Sequence, residues 1–237
     1  MKLLFDLHTH TTESGHAYCT LMENINCGKQ QGLLAYGVSE HAPAMPGTVS
    51  EMYFINFKVI PKEIDGIRIL CGVEANIIDY DGNIDCSELI CSKVDYMIAS
   101  MHSHCIPYGT VEENTRALIG AMENPIIKII GHPDDSRYPI DYDQVVQAAV
   151  RTDTILELNN SSLHPLSARK NGLENIKLLI SKCVEYGAKM IVNSDAHFCF
   201  DVGTFDAMEA LLEEMNVPEG LIINTDISGL DYVLIKR

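Results

Sequence analysis

The sequence predicts an α/β fold in which seven parallel strands alternate with helices and close into a barrel. Three observations predict it. Short apolar runs recur seven times along the 237 residues, segments of helical periodicity lie between them, and seven of the nine histidines fall just after a run. Strands alternating with helices imply parallel βαβ units with right-handed connections, and seven repeats favour closure over an open sheet. Barrels of this length commonly form one unit, so residues 1–237 are expected to be a single domain.

In chain order, strands are expected at residues 3–7, 34–39, 67–73, 96–100, 126–131, 154–158 and 190–194, each with the length and apolar character of a buried strand. Helices are expected at 21–32, 114–122, 142–151 and 173–186. Val145, Val146, Ala149 and Val150 in the third, and Ile176, Leu179, Ile180 and Val184 in the fourth, are spaced to share one helix face. Gly32 and Gly187 stand where a helix stops before the next strand. Residues 42–62, with Pro43, Pro46 and Pro61, read as a loop over the mouth of the fold. The tail reads as a last short strand at 221–224 and a closing helix at 228–235.

Composition excludes several classes of function. A formal charge of −16, from 33 acidic and 17 basic residues, repels nucleic-acid phosphates and anionic lipid headgroups alike. Hydrophobic residues make up 46% and charged residues 21%, the balance of a chain that buries a sizeable core. No run approaches a membrane span, and the start of the chain reaches Asp6 and His8 too early for a signal peptide. The eight cysteines contain no C-x-x-C pair and read as free thiols of a cytoplasmic protein.

Chemistry is concentrated where a parallel fold gathers it, at the carboxyl ends of the strands. The first strand ends at His8 and His10, which are two apart and therefore share a face. The second ends at His41, the third at Glu74, the fourth at His102, the fifth at His132, and the seventh at Asp195 and His197; His16 follows on the first loop. Glu74 closes an apolar run, and a carboxylate placed there requires a partner. Only the sixth strand lacks such a group, ending at Asn159-Asn160-Ser161-Ser162, so Asn159 and Asn160 are assigned to substrate oxygens. Imidazoles with carboxylates suit zinc, manganese or iron rather than magnesium or calcium. Nine ligands exceed the needs of one or two ions, and three divalent transition-metal ions, zinc foremost, are the economical count. His164 reads as a surface residue, while His104 repeats the His-x-His spacing after His102, which stands closer to the strand end.

These residues together resemble the PHP (polymerase and histidinol phosphatase) superfamily, and more closely its YcdX-type phosphatase branch. The resemblance runs through Asp6-Leu7-His8-Thr9-His10-Thr11, Gly15-His16-Ala17-Tyr18, Ser39-Glu40-His41, Gly72-Val73-Glu74-Ala75-Asn76-Ile77, Met101-His102, Gly131-His132-Pro133, Leu156-Glu157-Leu158-Asn159-Asn160-Ser161-Ser162 and Ser194-Asp195-Ala196-His197. It implies a distorted (β/α)7 barrel with a trinuclear centre at its carboxyl-end mouth. Carried over residue by residue, it places His8, His10, Glu74 and Asp195 on one ion and His102 and His132 on a second, bridged by Glu74. His16, His41 and His197 take the third. Glu40 stands where many relatives have Asp, and the ligand His41 itself remains.

The expected activity is a metal-dependent phosphomonoesterase that cleaves a small phosphorylated metabolite through attack of a metal-bridging hydroxide on phosphorus. Glu74, Asp195 and His197 are its candidate catalytic residues, and Arg169 or Arg137 the candidate holders of the phosphate oxygens. The alternatives are a phosphodiesterase or exonuclease, a histidinol-phosphate phosphatase, and a noncatalytic metal-binding module. Expected partners are the small phosphate alone, without membrane or nucleic acid, and a homo-oligomer is compatible with the sequence.

Overall fold

In the computed structural model, which describes residues 1–236, seven parallel strands follow one another around a nearly closed barrel. They are β1 (Phe5–Asp6), β2 (Ala35–Val38), β4 (Ile67–Asn76), β5 (Tyr96–Ser100), β6 (Ile129–Ile130), β7 (Ile155–Asn159) and β8 (Met190–Asn193). The short β3 (Glu63–Ile64) turns back and pairs antiparallel with β4. Around the strands lie α1 (Leu21–Gln30), α2 (Glu51–Ile55), α3 (Glu88–Cys91), α4 (Val111–Met122), α5 (Tyr142–Thr152), α6 (Gly172–Tyr186), α7 (Asp206–Glu214) and α8 (Leu230–Val233).

The helix starts follow from side-chain chemistry. Thr20 with Glu23 and Thr110 with Glu113 form capping boxes that satisfy the free N–H groups opening α1 and α4. Asp141 caps α5, and Gly187, at φ 71°, ends α6 in the left-handed conformation.

Inward-facing side chains two apart on the strands build the barrel interior, a cluster that includes Phe5, Leu7, Leu70, Tyr96, Ile98, Ile129, Ile155 and Ile191. Tyr96 is its largest member and donates from Oη to Leu7 O at 2.6 Å. It fits because the facing strands carry glycine: a Cβ at Gly72 would lie 2.3 Å from the Tyr96 ring, and one at Gly37 would lie 2.4 Å from its hydroxyl. Ile223, Leu230 and Val233 from the tail plug the end of the barrel opposite the site.

The seam between β8 and β1 is closed by side chains more than by a ladder. Asn193 Oδ1 accepts from Leu7 N, Asp6 accepts from Ser194 N and Oγ, and Asn224 contacts both edges. Asn224 Nδ2 donates to Phe5 O and Val192 O while its Oδ1 accepts from Val192 N. This corrects the strand expected at 221–224. The segment forms 3₁₀ turns with a single bridge from Ile222 to Met190, because the Asn224 amide already satisfies the edges a strand would pair with.

The segment at 42–62 is likewise not plain loop. It carries α2 and a 3₁₀ turn, anchored by the buried Phe54 and Phe57. Strand β4 runs three residues past its expected end and so includes Glu74, whereas β6 shrinks to two residues behind the turn at Pro125. All eight cysteines are free thiols, and no helix among the described residues is long and apolar enough to cross a membrane.

Candidate active site

At the carboxyl ends of the strands one carboxylate sits inside a shell of imidazoles. Glu74 Oε1 lies 3.0 Å from His132 Nε2, 3.2 Å from His102 Nε2 and 3.3 Å from His8 Nε2. Its Oε2 lies 2.7 Å from His41 Nδ1 and 3.5 Å from His10 Nε2. Burial alone would raise the Glu74 carboxyl, but His8, His102 and His41 outweigh it and hold the group well below the usual carboxylate range.

Across the seam Asp195 faces the same centre. Its Oδ1 is 3.3 Å from His10 Nε2 and 3.5 Å from His8 Nε2, and His197 Nε2 lies 3.0 Å from His16 Nε2 beside it. Asp195 at φ 54° and His132 at φ 30° both occupy the left-handed region, in which non-glycine residues are uncommon outside turns and functional sites. Gly15, next to His16, is also required by its surroundings: it sits at φ 80°, and a Cβ there would lie 2.3 Å from Gly47 O. That close approach joins the loop bearing His16 to the segment that follows His41.

Most of the imidazoles are anchored on the nitrogen that faces away. His8 Nδ1 donates to Glu157 Oε1 at 2.8 Å, His10 Nδ1 to Ser14 Oγ at 2.9 Å and His102 Nδ1 to Asn76 Oδ1 at 2.7 Å. His16 and His197 donate from Nδ1 to the carbonyls of Ser14 and Asp195, each at 3.0 Å. In these five the outer hydrogen bond selects the tautomer whose Nε2 lone pair points into the site, the arrangement typical of metal-binding histidine. The other two differ: His41 turns Nδ1 toward Glu74, and His132 faces Glu74 with Nε2 while its backbone N–H is held by Glu157.

Several of the inner atoms lack hydrogen-bond partners. His8 Nε2, His10 Nε2 and His41 Nε2 are buried and unsatisfied within the protein, and the close approach of His41 Nδ1 to Glu74 Oε2 lacks hydrogen-bond geometry. Each such atom costs about 1–3 kcal/mol if nothing occupies the site. Four overlapping groups bring their ligand atoms within 4.8 Å of one another: His8–His10–Glu74, His8–His132–Asp195, His41–Glu74–His102 and His10–His41–His197. The donor set therefore fits divalent transition-metal ions, arranged as one continuous cluster.

The structure brings all nine expected ligands to this place, with His16 reaching it through His197. Arg169 and Arg137 line the adjoining cleft of about 530 Å³, as do Met45, Met101, Tyr138 and Leu166. The two asparagines assigned to substrate are instead engaged within the protein. Asn159 donates to Glu157 and Asp195 from behind the site, and Asn160 Oδ1 accepts from Met208 N in the first turn of α7. His104 is exposed on the cleft wall, and His164 is exposed with its Nδ1 accepting from Leu166 N.

Two supporting groups, Glu157 and Asn76, were given no role from the sequence, and a third, Glu40, was noted there only as a departure from relatives. Glu157 is buried and accepts from His8, His132 N, Asn159 and Asn193. Burial works to raise its carboxyl, yet the nearby His8 dominates and lowers it. Its signal was present, since it is a carboxylate inside an apolar strand and meets the criterion applied to Glu74. Glu40 accepts from Ser14 Oγ and from Thr11, extending the anchor of His10. Asn76 holds His102 and is itself fixed by Asp85 and the Ala42 carbonyl.

The PHP domain model matches residues 6–163. A probable phosphatase of Caldanaerobacter subterraneus subsp. tengcongensis is 45% identical, covering 100% of this chain and 93% of the relative. A probable phosphatase of Clostridium novyi is 42% identical over 95% of this chain and 92% of its own length. Among solved structures, a histidinol phosphate phosphatase from Lactococcus lactis, complexed with zinc, L-histidinol and phosphate, superposes with a TM-score of 0.62. It is 14% identical and covers 92% of this chain and 95% of its own, a likeness of fold.

Proposed function

This chain belongs to the PHP domain family and is a metal-dependent phosphatase, and from that premise we propose that it is a phosphomonoesterase acting on a small organic phosphate at a centre of three ions. The observation that carries the reading is the shell of imidazoles around Glu74, with unsatisfied inner atoms, at the floor of a cleft of metabolite size. His8, His10, Glu74 and Asp195 are assigned to one ion, Glu74 with His102 and His132 to a second, and His16, His41 and His197 to the third. Zinc is the first candidate, in keeping with the donor set, and manganese and iron are the alternatives. Bound ions supply a water activated near neutral pH and neutralise charge that builds on the phosphoryl oxygens.

The protein's own groups have separate tasks. Glu74, with Oε1 toward His8, His102 and His132 and Oε2 toward His41 and His10, would hold two of the ions. Asp195 is held by Arg169 Nη2 at 2.7 Å and by Asn159, so its other oxygen keeps its aim. Arg169 spends three N–H donors on Asp195, Asn159 and Ser162, leaving two of its five for phosphoryl oxygens. Buried walls around His8, His10 and Glu74 exclude bulk water and strengthen each of these charges.

The test pairs two substrates with one variant. Metal-loaded protein is expected to release phosphate from p-nitrophenyl phosphate much faster than it cleaves the bis-ester. Glu74→Gln is expected to lower kcat by about 10²–10³-fold with an unchanged circular dichroism spectrum. Full turnover by that variant at unchanged metal content contradicts the bridging role, and preference for the bis-ester contradicts the monoesterase assignment.

A further inference from the structure

The wall of the cleft beyond the ion cluster is lopsided in its free hydrogen-bonding capacity. Three carboxylates line the cleft: Glu74, Asp195 and Asp135. Glu74 is enclosed by imidazoles, and Asp195 is shared between the cluster and Arg169. Asp135 is also committed, because its Oδ1 accepts from Arg137 N and Lys170 N while its Oδ2 accepts from Arg137 Nε at 2.7 Å and Nη2 at 2.6 Å. No carboxylate on the wall is left to receive an ammonium group.

Arg137 is in the opposite situation. Asp135 engages Nε and Nη2, and Tyr108 Oη accepts from Nη1 at 3.2 Å, so two of the five N–H donors remain. The guanidinium is also held still. It lies 5.7 Å from the centre of the Tyr108 ring, Tyr108 packs edge-on against Tyr138 at 4.9 Å, and Tyr138 Oη donates to Ile106 O at 2.7 Å. The side chain is 29% exposed, on a cleft whose other wall residues include Met45, Met101 and Leu166. A pre-ordered cation with unspent donors binds an anion without the entropic cost of organising itself.

Resting on the phosphatase reading above, we infer that Arg137 determines specificity by receiving a second anionic group, a carboxylate or a second phosphoryl, on the organic part of the substrate. Phosphorylated amino alcohols are then poor ligands, since their ammonium meets Arg137 and finds no free carboxylate. The phosphoryl group being cleaved stays with the ions and Arg169.

Binding of four phosphonates that a phosphatase cannot cleave tests this on the metal-loaded protein by calorimetry. The probes are 3-phosphonopropionate, propane-1,3-bisphosphonate, neutral-tailed propylphosphonate and 3-aminopropylphosphonate. The first two are expected to bind at least about tenfold more tightly than propylphosphonate, with the amine weakest, as for one charge-assisted contact. In Arg137→Gln the tenfold preference falls to within about twofold, and Arg137→Lys restores part of it. Equal binding of all four probes by the unmodified protein overturns the inference. So does a preference that survives in Arg137→Gln, even with all four weakened alike, which would place Arg137 on the cleaved phosphoryl group. Comparing the two acids separates a carboxylate from a phosphoryl partner. Phosphate release from p-nitrophenyl phosphate is measured in parallel, so that selective binding without hydrolysis refutes the phosphatase reading alone.

Discussion

Glu157 shows how much of this site depends on residues that touch no ion. It fixes the tautomer of His8, holds the His132 backbone through its N–H, and accepts from Asn159 and Asn193. Glu157→Gln replaces one acceptor oxygen by an NH2 group that must face donors. The expected result is a loss of about 10–100-fold in metal affinity or activity with the fold retained, read by competitive chelator titration and circular dichroism. Unchanged affinity contradicts the anchoring role. The candidate ligands other than His16 were legible in the sequence because each stands at or just past the end of an apolar run, where chain order alone predicts convergence. Glu157, Glu40 and Asn76 were less legible because a supporting residue is defined by what lies behind a ligand, and that follows from strand neighbours far apart in the chain. The asparagines at 159 and 160, expected at substrate oxygens from their place at the sixth strand end, also make contacts within the protein that the strand pattern does not record: Asn159 Nδ2 donates to Glu157 and Asp195, and Asn160 Oδ1 accepts from Met208 N.

At the scale of elements, the order of strands and main helices was legible, and the departures have local causes. Periodicity marked α1, α4, α5 and α6 to within a few residues, and Gly32 and Gly187 marked the ends of the first and last of them. The strand expected at the tail is replaced by the side chain of Asn224, a substitution that no apolar pattern records. Asn224→Ala removes three buried hydrogen bonds and leaves backbone groups of Phe5 and Val192 without partners. The expected cost is about 3 kcal/mol in urea unfolding at constant m-value. Because the same seam sets His8 and His10 beside Asp195, this variant is also expected to weaken metal binding. A change below about 0.5 kcal/mol contradicts the role of the stitch.

For the whole molecule, ions and fold are linked. Removing the ions with a chelator is expected to lower the midpoint of thermal unfolding, since ions that bind only the folded chain at 1,000 times their Kd contribute about 4 kcal/mol. The linkage carries a sign in pH. Burial works to lower the His8 imidazole, but Glu157, Glu74 and Asp195 outweigh it and hold the group well above its ordinary value. In the ion-free protein this favours a proton on His8 that loading must displace. Apparent affinity is expected to rise with pH, with net proton release at pH 7 measured by calorimetry in buffers of differing ionisation heat. Absence of proton release contradicts that charge balance. His10 behaves oppositely, since burial and the neighbouring His41 and His197 keep it lowered and ready as a neutral ligand. The acidic surface, at a net charge of −16, leaves the cleft with its arginines and ions as the place where a phosphate is welcome.

Anomalous diffraction at the zinc edge from crystals of zinc-loaded protein tests the central claim most directly. The account predicts three peaks among His8, His10, His16, His41, Glu74, His102, His132, Asp195 and His197, two of them flanking Glu74. Peaks confined to surface residues, with none beside Glu74, would contradict it.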